Sequence, residues 1–300
     1  MSFLIFQGLQ AQEDEIYKAI TIAPIDIFAS DAEWSNDSII KKVIRDTSFY
    51  QSFLNMKYFP HEIQGSLEVY FKDERSKAKM DRLAIQHLDN ELKWVEIIEE
   101  KNNGKIRKKN GKYKYLTAEM YDEVFYPTFK HTVSPIIVQK KQEESKESKI
   151  EKYKSQLKKM LFNPGAPIES VPFIGDKLEI FSDEMVRYYE YSIFTSQLKD
   201  STSCLVFKIE AKPEFRSNKT VIKSMTTYFD KESFLVLDRA YHLKYNHALF
   251  QFDIHMQIEN SVQIGHLVPK RIHYSGWWDI PIKSAEIIDF ELNCSNYILN

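Results

Sequence analysis

HALFQFDIHMQIEN, residues 247–260, has two unlike faces. Phe250, Phe252, Ile254, Met256 and Ile258 fall on one parity. Gln251, Asp253, His255, Gln257 and Glu259 fall on the other. Successive side chains of a β-strand point to opposite sides, so this alternation predicts a strand with one dry and one wet face. A sheet built from such strands must cover its dry face with another layer. The nature of that cover decides the fold.

The same alternation recurs to either side. In HEIQGSLEVYFKD, residues 61–73, Ile63, Leu67, Val69 and Phe71 share one parity, and Glu62, Gln64, Ser66, Glu68 and Lys72 the other. Tyr189, Tyr191 and Ile193 alternate, as do Leu205, Phe207 and Ile209, and Ile288, Phe290 and Leu292. Strands are expected over 220–229 and 234–245, around a turn at 230–233, and over 267–274 and 286–292. Shorter strands are expected at 94–100, 105–109 and 113–116, separated by Asn103-Gly104 and Asn110-Gly111, since Asn-Gly favours the left-handed backbone of tight hairpins. Residues 75–89 fit a short helix or a strand.

Two segments carry helical spacing instead. Over 35–56, Ile39, Ile40, Val43, Ile44, Tyr50, Phe53 and Leu54 recur on one helical face, with Ser35 or Asn36 as cap and Pro60 beyond the end. Over about 142–162, acidic residues lead and basic residues follow, matching the helix dipole, and Ile150, Tyr153, Leu157, Met160 and Leu161 form a stripe. Asn163-Pro164-Gly165 ends it. The fold class is therefore mainly β with α (α+β): a curved antiparallel sheet, a half-barrel, wrapped around amphipathic helices. It occupies one domain over 13–292, with a tail at 293–300. A flat two-sheet sandwich leaves both helices without a role.

Composition narrows the function classes. The formal charge of −2 over 300 residues gives no overall attraction to nucleic acid or anionic membrane. Aromatic residues are 14% and glycines only 8, which suits a sheet better than a phosphate-binding loop enzyme. No apolar run nears the roughly 20 residues of a membrane helix, so no transmembrane segment is expected. An outer-membrane barrel is disfavoured by a mean hydropathy of −0.43. The opening residues, MSFLIFQGLQAQ, are expected to be the remnant of a signal peptide over 1–12, which implies a periplasmic or exported protein; a cytoplasmic protein with a short N-terminal strand or helix is the alternative.

SIIKKVI at 38–44 before LEVYF at 67–71, and LVPKRIHYSGWWDIPIK at 267–283, together with the order helix, strands, central helix, strands, resemble the LolA/LolB-like periplasmic lipoprotein carriers and uncharacterised exported proteins of Gram-negative bacteria. The resemblance spans most of residues 35–292 and is one of pattern, so it carries over no functional residue. It implies a periplasmic location and an apolar cavity able to hold acyl chains. Candidate cavity walls are Leu67, Val69, Leu205, Phe207, Phe250, Phe252, Ile254, Met256 and Trp278, and the same side chains would equally make a plain core. The implied partners are a lipid or lipoprotein, or a protein of the cell envelope. No nucleic acid partner, cofactor or enzymatic activity is expected. A structural or interaction protein with a filled core is the competing reading.

Motifs with their own chemistry are sparse. GxGxxG, GxxxxGK and GxSxG do not occur. His61-Glu62 lacks the second zinc-protease histidine, because the position three beyond Glu62 is Gly65. Asp253, His255 and either His242 or His247 would form a surface metal cluster if the hairpin brought them together, but solvated strand residues are the commoner outcome, and no metal is expected. Asp183-Glu184, and Asp230 with Glu232, fall at turns and are not read as catalytic. Lys105, Arg107, Lys108 and Lys109 form a weak candidate patch for anionic lipid headgroups, or a solvated hairpin edge. Cys204 and Cys294 are a candidate disulfide in an oxidising compartment and buried thiols in a reducing one. Of Trp277 and Trp278, one is expected in the core and the other either at a ligand mouth or packed structurally as well.

Overall fold

Among the described residues, twelve strands form a single open sheet in the order β1-β6-β7-β8-β9-β10-β11-β12-β2-β3-β4-β5. The computed structural model describes residues 26–27, 36–133, 176–217, 219–247, 250–280 and 283–298. The strands are β1 (Asp26–Ile27), β2 (His61–Tyr70), β3 (Ser76–Asp89), β4 (Leu92–Gly104), β5 (His131–Thr132), β6 (Tyr189–Gln197), β7 (Ser203–Ala211), β8 (Ile222–Asp230), β9 (Val236–His247), β10 (Phe250–Gln263), β11 (His266–Ile280) and β12 (Lys283–Ser295). Every pairing is antiparallel except β1 with β6. β6 to β12 follow one another as a meander, and β12 returns to pair with β2, which joins the two runs of strands. This is the open, mainly β half-barrel layout expected from the alternation.

Register turns alternation into a continuous dry face. Met225, Tyr241, Met256, Tyr274, Phe290, Leu67 and Met80 sit directly opposite one another across β8, β9, β10, β11, β12, β2 and β3. All seven are buried. Cross-strand neighbours on one face contact each other directly, so one such row links the packing of seven strands. Ile264 and Gly265 at the β10–β11 turn both have positive φ, 54° and 77°, the backbone that tight hairpins need.

Helices cover that face. α1 (Asn36–Arg45) and α2 (Ser48–Tyr58) precede β2, α3 (Leu116–Phe125) follows β4, and the short α4 (Asp183–Val186) leads into β6. The single helix expected over 35–56 is two helices. Asp46 interrupts it by accepting the Ser48 N–H on its own side chain at 3.0 Å, a local bond that competes with helix continuation. α2 then runs on to Tyr58, and Phe59, held extended before Pro60, ends it.

Of the two alternatives for residues 75–89, the strand is present, as β3 over 76–89. Two other expectations are corrected. β4 runs through Asn103-Gly104, so that pair is no turn; Gly104 ends the strand at φ 73°. Residues 105–109 and 113–116 make only an isolated bridge, Arg107 to Tyr113, around a turn at Asn110-Gly111. A helix starts at Leu116 because its first N–H groups, buried and without a partner in the helix, meet the carboxylate of Glu286 on distant β12. The signal-peptide segment 1–12 and the central helix near 142–162 lie outside the described residues. Among the described residues, no helix is long and apolar enough to cross a membrane.

Candidate functional site

The helix-covered face of the sheet is the candidate site, and its construction explains how the helices are held. α2 packs against β11 and the α1–α2 junction lies against β9, with Ile39, Ile40, Val43, Phe49, Phe53 and Met56 buried. Four polar links fix the placement. Asp46 at the α1–α2 junction faces the guanidinium of Arg239 on β9 at 3.7 Å. Arg239 also donates through Nε to Thr227 Oγ1 at 3.0 Å and lies over the Phe49 ring at 4.2 Å. The Val236 N–H donates to Ser48 Oγ at 3.0 Å, and Asn55 Nδ2 to the Leu267 carbonyl at 2.8 Å. Gln86 on β3 donates to the Met56 and Phe59 carbonyls, both at 2.8 Å, and so satisfies the C-terminal end of α2. Burial pulls the Arg239 pKa down to about 10 while Asp46 opposes the fall. The pair therefore sits in a dry setting where an unpaired charge is costly.

α3 is held by a different set. Glu286 on β12 accepts the Leu116 N–H at 2.7 Å, the Thr117 N–H at 3.0 Å and the Thr117 hydroxyl at 2.9 Å. It thus serves as a cap supplied from another element, placing negative charge at the positive end of the helix. Trp278 Nε1 donates to Thr117 Oγ1 at 2.6 Å. On the other flank Arg82, buried on β3, donates to Glu100 at 2.7 Å, Asp122 at 2.6 Å and the Tyr113 hydroxyl at 2.7 Å, and lies over the Tyr126 ring at 4.8 Å. Burial opposes its charge, but these anionic and hydroxyl partners hold its pKa above the ordinary arginine range. The Tyr113 hydroxyl donates to Asp122, and burial together with that bond pushes it up to about 12. Beneath α3, a Cβ at Gly65 would overlap the hydroxyls of Tyr121 and Tyr126, so glycine lets the helix approach the sheet.

Most cavity candidates converge on this face. Leu67, Val69, Leu205, Phe207, Phe252, Ile254, Met256 and Trp278 are between 0% and 6% exposed and belong to one core cluster. The side chain of Phe250 lies outside the described residues. Trp278 points into the core and Trp277 is half-buried. Asp46, Arg239, Arg82, Asp122 and Glu286, which hold the cover, were not singled out from sequence. A signal for three of them existed: Arg82 shares the buried parity of Met80 and Ala84, Arg239 that of Tyr241 and Leu243, and Glu286 that of Ile288 and Phe290. A charge on a dry parity needs a partner.

The remaining candidates lie elsewhere. Lys105, Lys108 and Lys109 are exposed on the loop after β4. Arg107 is committed to Tyr113, its guanidinium stacking on the ring at 4.0 Å and bonding the hydroxyl at 2.6 Å. Of the two readings for the cysteines, the second holds: Cys204 and Cys294 are free buried thiols. They stand on β7 and β12 with four strands between them, about 24 Å along the curve of the sheet at ~4.8 Å per strand, whereas a bridge needs Cα atoms within roughly 7 Å. On the opposite, wetter face, Gln64, Ser66, Asp81, Lys101 and Glu291 border a polar depression of about 590 Å³. The same side of the β9–β10 hairpin brings His242, Asp253 and His255 together; His247 is not part of that group.

No protein-family model and no curated protein sequence matches the chain. Solved structures do. A domain assigned to outer membrane lipoprotein sorting from Vibrio parahaemolyticus is 8% identical, covers 87% of this chain and 90% of its own, and has a TM-score of 0.28. A DUF1329 family protein from Desulfovibrio piger is 7% identical over 84% of this chain and 90% of its own, with a TM-score of 0.27. A LolA superfamily protein from Nitrosomonas europaea is 10% identical over 83% and 93%, with a TM-score of 0.26. At such identities and scores no residue role passes from them to this chain.

Proposed function

We propose that this chain is an exported, non-enzymatic carrier that receives the acyl chains of a lipid or lipoprotein between its helices and the dry face of its sheet. One observation carries the reading. Among the described residues, an apolar face that runs from β6 to β4 is closed by short helices held at a few polar points, and not by a second sheet. Short helices can lift where a paired sheet cannot.

Magnitudes define how uptake would work. An acyl chain of about fifteen methylenes gains roughly 12 kcal/mol on burial, at about 0.8 kcal/mol per methylene. The six buried apolar side chains of α1 and α2 are worth roughly 1.5–3 kcal/mol each, a total of the same size. Ligand binding therefore cannot afford to expel these helices. The acyl chain must slide beneath them and exchange contacts, with the Asp46–Arg239 link opening. Phe252, Ile254, Met256, Leu205, Phe207, Leu67, Val69 and Trp278 would line the acyl path. Lys105, Lys108 and Lys109 would meet the headgroup, and the carrier would work in the periplasm.

The test is a titration of the folded protein with an environment-sensitive fluorescent fatty acid. Saturable uptake near one per chain, competed by long-chain phospholipid and not by its water-soluble headgroup, supports the carrier. No saturable uptake below the probe's micellar limit overturns it. That outcome favours an envelope interaction protein with a filled core, the reading to which the near-complete burial of the candidate walls lends weight.

A further inference from the structure

Two neighbouring strands place an unexplained cluster on the wet face of the sheet. His242 on β9 is directly opposite His255 on β10, and Lys244 is opposite Asp253. Asp253 and His255 are two residues apart on one strand, so both project to the same side. The imidazoles of His242 and His255 stack with centroids 4.0 Å apart and planes 12° apart. Asp253 Oδ1 is 2.7 Å from His242 Nε2 and 3.7 Å from His255 Nε2. The three ligating atoms all lie within 4.8 Å of one another. Lys244 Nζ holds the other carboxylate oxygen, Oδ2, at 2.7 Å.

We infer that His242 Nε2, Asp253 Oδ1 and His255 Nε2 form a binding site for a divalent transition-metal ion of the zinc class. Zinc bonds imidazole nitrogen and carboxylate oxygen at about 2.0–2.2 Å with tetrahedral angles, which sets its ligands about 3.4 Å apart. The observed separations of 2.7 and 3.7 Å bracket that value. The stacked rings must tilt toward each other so that both Nε2 lone pairs meet at one ion, and the 62% exposure of the His255 side chain leaves room for that rotation. Two nitrogens and one oxygen suit Zn²⁺, Cu²⁺ or Ni²⁺, while Mg²⁺ and Ca²⁺ require oxygen-rich shells. Lys244 plays the part of an outer partner: it occupies Oδ2 and turns Oδ1 toward the imidazoles. Its positive charge also lowers the affinity below that of a site with no cation nearby.

The fourth position faces solvent. His255 has 62% of its side chain exposed, against 25% for His242 and 19% for Asp253. A tetrahedral ion here keeps one position for water or a donor from another molecule. The site clamps β9 to β10 and lies on the side of the sheet away from the helices, so it is independent of acyl-chain binding.

The test uses the full chain, freed of metal by a chelator and titrated with ZnCl₂ by calorimetry in a non-coordinating buffer. One Zn²⁺ per chain is expected, with a midpoint of thermal unfolding that rises with Zn²⁺ and does not respond to Mg²⁺. Co²⁺ in its place should give the intense visible bands of tetrahedral coordination. His255→Ala, at an exposed position that leaves the fold intact, should weaken Zn²⁺ at least tenfold. His242→Gln should do the same, with unchanged circular dichroism. No Zn²⁺ uptake by the parent chain, or undiminished uptake by the folded His255→Ala variant, overturns the inference.

Discussion

Arg239 on β9 and Asp46 between α1 and α2 face each other at 3.7 Å, both nearly removed from solvent. The contact links the helical cover to the middle of the sheet. Asp46→Ala strands the Arg239 charge, which burial already penalises. Loss of one partner of a buried pair costs about 3–5 kcal/mol. Chemical denaturation should show that loss, and Arg239→Met in the Asp46→Ala background should return most of it. A loss below 1 kcal/mol in the single variant would show that the pair does not hold the cover.

Gly65 sits beneath the paired hydroxyls of Tyr121 and Tyr126, which are 3.2 Å from each other. Gly65→Ala forces α3 away from β2, and overpacking of this kind costs about 1–3 kcal/mol. Tyr121→Phe together with Tyr126→Phe should recover stability in the Gly65→Ala background, since those hydroxyls are what the new methyl meets. Equal destabilisation with and without the two hydroxyls would place the cost in the backbone instead.

Glu286 stands in for the missing N-cap of α3, where Tyr115 itself offers no capping side chain. Glu286→Gln keeps the size and loses the charge opposite the helix dipole, a cost of about 0.5–2 kcal/mol. Hydrogen exchange should rise first in residues 116–120. Unchanged exchange there would remove Glu286 from its assigned role.

His61 supplies a pH dependence. Its Nδ1 lies 2.8 Å from the Phe59 carbonyl, which makes that nitrogen the donor, and its buried Nε2 has no partner. Burial lowers its pKa to about 4. The unfolded chain takes up a proton near pH 6.5, where the folded chain does not. Stability contributed by neutral His61 is thus present above pH 6.5 and is lost as pH falls from 6.5 to 4, by roughly 3 kcal/mol in all at 1.36 kcal/mol per unit. The difference between the parent and His61→Asn isolates this term from Asp238, whose pKa burial raises to about 6 and which acts in the opposite sense over the same range. Parallel curves for the two proteins between pH 7 and 4 would contradict it.

The strands were legible because each has one dry face: the 2-residue period from Phe252 to Ile258 and from Ile63 to Val69 needs no distant partner to be read. What joins the cover to the sheet was not. α3 starts where it does because Glu286, 170 residues away in sequence, satisfies its first N–H groups. The break at Asp46 depends on a local side-chain bond and on Arg239. The histidine cluster was half legible. Asp253 and His255 share a face by parity, but the choice of His242 over His247 required the register of β9 against β10.

Uptake of an acyl chain beneath the helices is most directly tested by native mass spectrometry of the protein, expressed with an export signal, purified without detergent and measured before and after organic extraction. The carrier account predicts lipid-sized adducts on the folded chain, lost on extraction and regained when phospholipid is added back. A bare mass before extraction, with no adduct after lipid is added to the folded protein, would contradict it.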